Sequence, residues 1–84
     1  MRALVTGASR GIGLAVAREF AALGAELLLV ARGRDGLQQA RTSIEADFPG
    51  CSVQLLAADV STVEGREQVC AAAGAALQIL VNNA

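Results

Sequence analysis

Apolar residues along this 84-residue chain fall into two alternating patterns, short continuous runs and longer stretches with helical spacing. Ala3, Leu4 and Val5 form the first run and read as a short buried strand. Ile12, Ala15, Val16, Phe20 and Leu23 then recur at helical spacing, with Arg18 and Glu19 in the polar intervals, and predict a helix with that apolar face. Gly24 stands where a C-terminal cap glycine belongs. Residues 26–31 are a continuous apolar run of the kind a parallel strand shows when both its faces are buried. Asp35 and Gln38 have capping-box spacing, and Leu37, Ala40, Ile44 and Phe48 share one face of the helix that follows, which Pro49-Gly50 ends. Residues 52–58 predict a third strand. Ser61 and Glu64 repeat the capping-box spacing ahead of a third helix over 62–75, and residues 77–81 predict a fourth strand.

Three strand–helix pairs followed by a strand predict an α/β fold. Right-handed crossovers make a parallel open sheet its natural architecture. In the doubly wound arrangement the strand order is 3-2-1-4, and a ligand sits at the carboxyl ends of the strands. No linker, low-complexity tract or longer repeat interrupts the alternation, so residues 1–84 read as one unit.

Composition narrows the class. The chain is 54% hydrophobic with a net charge of −1. Its seven basic residues, all arginine, are spread along the chain, and two phenylalanines offer no aromatic platform, which argues against nucleic acid as a partner. No apolar stretch approaches the roughly 18 residues of a membrane span, and the first run breaks at Gly7 too early for a signal peptide. Cys51 and Cys70 lack metal-ligand spacing and have no histidine for company. They read as buried or half-buried free thiols in a reducing, cytoplasmic setting. The chain contains no lysine, tyrosine or histidine, so most of the usual general acids and bases are missing. Ser9, Ser43, Ser52 and Ser61 have no base beside them, and hydrolase chemistry fails on that ground.

Residues 6–13, Thr-Gly-Ala-Ser-Arg-Gly-Ile-Gly, lie directly between the first strand and the first helix. A strand turning sharply into a helix offers free N–H groups and a positive dipole end to an anion. Gly7 supplies a backbone conformation closed to other residues, Gly11 lets the backbone approach a phosphate, and Gly13 lets the helix lie close to the strand. A dinucleotide pyrophosphate is the ligand this geometry suits best. The spacing Gly-x-x-x-Gly-x-Gly, with Thr6 leading it, resembles the cofactor loop of the short-chain dehydrogenases/reductases.

The end of the second strand addresses the choice of dinucleotide. An NAD-preferring domain places an acidic residue there, about 20 residues past the glycine loop, on the ribose 2′-hydroxyl. Here that region reads Ala31-Arg32-Gly33-Arg34, and Asp35 is explained as a helix cap. Arg32 can fork onto a 2′-phosphate, with Arg10 reaching it from the other side, which favours NADP.

Two further motifs carry the same resemblance. Asp59-Val60 matches the family's Asp-Val step, which implies Asp59 near the adenine amino group and the Val60 backbone at the adenine edge. Asn82-Asn83-Ala84 is similar to the start of the family's Asn-Asn-Ala-Gly motif, which ties the central sheet together and borders the cofactor ribose. Gln78 stands where the family commonly has Asp. The cofactor-binding set is therefore expected to be Thr6, Gly7, Ser9, Arg10, Gly11, Ile12, Gly13, Arg32, Asp59, Val60, Asn82 and Ala84, with no metal ligand and no catalytic residue.

The resemblance spans all 84 residues and implies a Rossmann-type fold, of which this is the N-terminal, cofactor-binding half. Members of the family are about three times as long, and their catalytic Asn, Ser and Tyr-x-x-x-Lys lie beyond the fourth strand. The expectation is thus the adenosine-side NADP-binding portion of an oxidoreductase. In the intact protein the resemblance implies hydride transfer between nicotinamide and a carbonyl or alcohol, and a homo-oligomer. The alternative is a naturally short, non-catalytic module that binds a nucleotide or a partner.

Overall fold

A computed structural model describes residues 1–74 and the backbone of residues 79–81. Its elements follow the expected alternation: β1 (Arg2–Thr6), α1 (Gly11–Ala22), β2 (Glu26–Ala31), α2 (Arg34–Asp47), β3 (Val53–Ala57), α3 (Val63–Ala73) and β4 (Ile79–Val81). All strand pairings are parallel and the order is β3-β2-β1-β4. Residues 77 and 78, expected at the start of the fourth strand, lie outside the described residues.

The uniform hydrophobicity of β2 has its reason in the two faces of the sheet. Leu27 and Leu29 point to one side, where they pack with Ala3, Val5, Ala17, Ala21, Leu37, Ala40 and Ile44 under α1 and α2. Leu28 and Val30 point to the other, where they join Leu4, Ala58 and Ala73 beneath α3. Alternate residues of one strand thus feed two cores, and neither face has room for a polar side chain.

Helix α1 departs from its expected face. Its buried residues are Gly13, Ala17 and Ala21, whereas Ile12 and Leu23 are 72% and 70% exposed and Ala15 is exposed as well. The four-residue spacing of three small side chains lets the helix lie close on the sheet, while Leu14 and, of the expected face, Phe20 pack half-buried at its margin. Gly24 ends α1 as expected. With φ of +82° it directs its own N–H to Ala21 O at 3.0 Å and the Ala25 N–H to Phe20 O at 3.1 Å, the paired bonds of a Schellman turn.

Both capping boxes are displaced. Gly33 is the N-cap of α2, and no side chain bonds the helix end there. Asp35 therefore lies inside the first turn, where its charge complements the dipole instead of capping the N–H groups. In α3 the cap is Thr62, whose Oγ1 accepts the Gly65 N–H at 2.9 Å. Ser61 is free for a different bond because the helix starts one residue later than the Ser61–Glu64 spacing suggests. The cysteines also differ from expectation: both are free thiols, but Cys70 is exposed. Burial and the nearby Glu45 carboxylate push the half-buried Cys51 thiol up, so it stays protonated and weakly nucleophilic.

Candidate functional site

At the carboxyl ends of β1, β2 and β3 the chain encloses an open cleft of about 860 Å³. Three connections build it. The β1–α1 loop contributes Gly7, Ser9, Arg10 and Gly11, the β2–α2 turn contributes Arg32 and Gly33, and the β3–α3 turn contributes Asp59, Val60 and Ser61. Thr6, the last residue of β1, lies at its floor and is buried.

The glycine loop holds its shape through two left-handed residues, Gly7 with φ of +64° and Gly11 with φ of +61°. Between them Ala8 is fully buried and donates its N–H to Val30 O at 3.2 Å, which fastens the loop to β2. Arg10 is the extended N-cap of α1, no side chain bonds that helix end, and its first turn holds no acidic residue. The N–H groups of the first turn are therefore open to an anion from the cleft. A Cβ added at Gly11 would meet nothing within 4 Å, so the loop leaves open space on this side of the cleft.

Arg32 follows β2, lines the same cleft and is exposed. Arg10 is exposed as well, and among the described residues neither arginine forms an ion pair. Asp59 is the acidic residue lining the cleft. Its Oδ1 accepts the Ser61 hydroxyl at 2.6 Å and the Ser61 N–H at 2.9 Å. Those two bonds, with the Arg32 guanidinium adding to them, hold the Asp59 carboxyl below the usual carboxylate range. It is an acceptor at neutral pH.

Nine of the residues named from sequence line this one cleft: Thr6, Gly7, Ser9, Arg10, Gly11, Ile12, Arg32, Asp59 and Val60. Gly13 does not reach it and is buried in α1. Asn82 and Ala84 lie outside the described residues. The high exposure of Ile12 is explained by its place on the rim. Sequence reasoning missed Gly36 and Gln39, which bring one face of α2 into the wall. A glycine inside a helical pattern is the signal that could have found Gly36, since it often marks close approach. Among the described residues no cluster of His, Cys, Asp or Glu could hold a metal ion, and no helix is long and apolar enough to cross a membrane.

Known proteins share this arrangement. The family model for short chain dehydrogenase matches residues 1–84. Fatty acyl-CoA reductase of Acinetobacter baylyi is 37% identical over 83 residues, covering 98% of this chain and 28% of that protein. Sepiapterin reductase of Xenopus laevis is 39% identical over 88 residues, covering 95% of this chain and 34% of its own length. Among solved structures, L-sorbose reductase from Gluconobacter frateurii, complexed with NADPH and L-sorbose, superposes with a TM-score of 0.91 at 44% identity, over 99% of this chain and 32% of that one. YwfH, an NADPH-dependent reductase involved in bacilysin biosynthesis, gives 0.92 at 33% identity over 98% and 35%. The chain thus spans about a third or less of the length of these relatives.

Proposed function

Because this chain belongs to the short-chain dehydrogenase family, we propose that it binds the adenosine side of NADP(H) and serves an oxidoreductase acting on a carbonyl or alcohol. The observation that carries the choice of cofactor is the pair of exposed arginines lining one cleft, Arg10 in the glycine loop and Arg32 past β2, with no acidic residue at the end of β2. Such a pair suits a phosphate on the ribose 2′ position and leaves a bare 2′-hydroxyl without its usual acceptor. The relative complexed with NADPH and the NADPH-dependent one support the same reading.

The residues divide the work by chemistry. The open N–H groups of α1, reached over Gly11, hold the pyrophosphate. Arg10 and Arg32 hold the 2′-phosphate, each as a charge-assisted donor. Asp59, kept ionised by Ser61, accepts from the adenine amino group, and Val60 borders the ring. Asn82 and Ala84 complete the ribose side. When bound, the dinucleotide supplies or accepts the hydride. The chain itself fixes where the dinucleotide lies; it has no tyrosine, lysine or histidine to hold a proton at the reacting oxygen.

Titration calorimetry with NADPH and NADH on the protein and on Arg32→Asp tests the reading. Arg32→Asp removes a charge-assisted bond of about 1.5–3 kcal/mol and should weaken NADPH by at least roughly ten- to a hundredfold, while its new carboxylate gives the 2′-hydroxyl an acceptor and should leave NADH unchanged or tighter. Equal affinity of the unaltered protein for both dinucleotides would overturn it.

A further inference from the structure

Gly36 lies in the first turns of α2, directly against the glycine loop. A Cβ at this position would sit 3.0 Å from Ser9 Cβ, tighter than nine in ten such contacts, and in ordinary contact with Ser9 Oγ at 3.5 Å. Its φ is not in the left-handed region, so the glycine is not there for its backbone conformation. Helix propensity also argues against it, since alanine is favoured over glycine inside a helix. What the missing Cβ provides is proximity between α2 and Ser9.

That proximity falls between the two arginines. Ser9 immediately precedes Arg10, and Gly36 belongs to the helix whose entry is Arg32-Gly33. On its other side the loop cannot retreat, because Ala8 is fully buried and bonded to Val30 O. A side chain at position 36 therefore requires Ser9 to give by a few tenths of an ångström, and Ser9 carries the adjoining Arg10 with it. We infer that Gly36 is a positioning residue: its contact with Ser9 sets the separation of Arg10 from Arg32, and through it the selectivity of the cleft for a 2′-phosphorylated ribose. This rests on the NADP reading above.

The experiment uses 2′,5′-ADP and 5′-AMP as probes, titrated calorimetrically into the protein, Gly36→Ala, Ser9→Gly and the double variant, with thermal melts of each. Gly36→Ala should weaken 2′,5′-ADP about fivefold or more, hold 5′-AMP within about twofold, and not lower the melting temperature. In the Ser9→Gly background, where the opposing Cβ and Oγ are gone, the same substitution should cost nothing further. A melt that holds while selectivity falls is not what a merely structural role produces. Equal weakening of both probes, an undiminished effect in the double variant, or no effect of Gly36→Ala overturns the inference. A protein that binds the two probes equally before any substitution overturns the NADP reading, and the inference with it.

Discussion

Gly65 in α3 packs so closely on the Asp59 carbonyl that a Cβ built at this position would lie 1.7 Å from the carbonyl oxygen. The same oxygen accepts the Thr62 hydroxyl at 2.9 Å and the Thr62 N–H at 3.1 Å. Thr62 Oγ1 in turn accepts the Gly65 N–H. One short circuit of bonds therefore ties the start of α3 to the turn that presents Asp59 to the cleft, and only glycine fits at its centre.

Gly65→Ala should accordingly be destabilising even though alanine is the better helix former. The gain in propensity is about 1 kcal/mol, and with backbone as the clashing group the overpacking cost lies at the upper end of roughly 1–3 kcal/mol, so a net loss of about 2 kcal/mol is expected. Urea unfolding should show a lower midpoint with an unchanged slope. A midpoint at or above that of the unaltered protein would mean the turn yields freely.

Much of this fold was legible in the chain, and the misses share a cause. The strands stood out because a parallel strand buried on two faces has to be apolar throughout, as residues 27–30 are. Gly7 and Gly24 were legible because a sharp turn or helix end demands a positive φ, and Gly11, expected for close approach of the backbone, has a positive φ as well. The buried face of α1 was not, because hydrophobicity treats size as a sign of burial. At a tight helix–sheet contact Gly13, Ala17 and Ala21 go inside, and Ile12 and Leu23 face outward. The caps slipped for a related reason. Ser61 and Thr62 are both capping residues by chemistry, serine the better one, and the choice of Thr62 goes with the approach of Gly65 to Asp59, a contact with no local signature. Gly36 did have a local signal, a glycine inside a helical pattern, but the side chain it makes room for, Ser9, is 27 positions away in sequence.

Asp59 gives the molecule an acid limb with a definite sign. Its folded carboxyl titrates below the ordinary value, held there first by the Ser61 hydroxyl, then by the Ser61 N–H and Arg32. A group depressed in the folded state stabilises above its unfolded pKa, about 3.9 for Asp, and that contribution is lost as pH falls through the folded value. Carbon-detected NMR titration should place the Asp59 midpoint below the unfolded value. Ser61→Ala should raise it toward that value, and a midpoint indifferent to Ser61 would refute the assignment.

No basic residue stands in the last turn of α3, and Arg2 supplies the missing charge from the start of β1. Its Nη1 donates to Ala73 O at 2.7 Å, and its Nη2 donates to Ala72 O at 3.1 Å and Gln54 Oε1 at 3.2 Å. These are the carbonyls a helix leaves unsatisfied at its end, where a cation also complements the dipole. Arg2→Met keeps the stem and removes the donors. It should cost about 1.5–3 kcal/mol, with amide exchange accelerated most in the last turn of α3. Unchanged protection there would show that water replaces Arg2 without loss.

Gly11 and Gly24 form a matched pair that separates backbone strain from ligand binding. Both have positive φ, +61° and +82°, and both face open space where a Cβ would go. Alanine at either site should therefore cost a similar amount, about 1–2 kcal/mol for a left-handed backbone. Only Gly11 lies in the cleft, where the Cβ would enter the space a phosphate needs; Gly24 ends α1 at the far end of the helix. Denaturation should thus show comparable losses for Gly11→Ala and Gly24→Ala. Calorimetry with NADPH should show a large loss of affinity for the first and little change for the second. Equal affinities in the two variants would remove Gly11, and with it the α1 N-terminus, from the phosphate site.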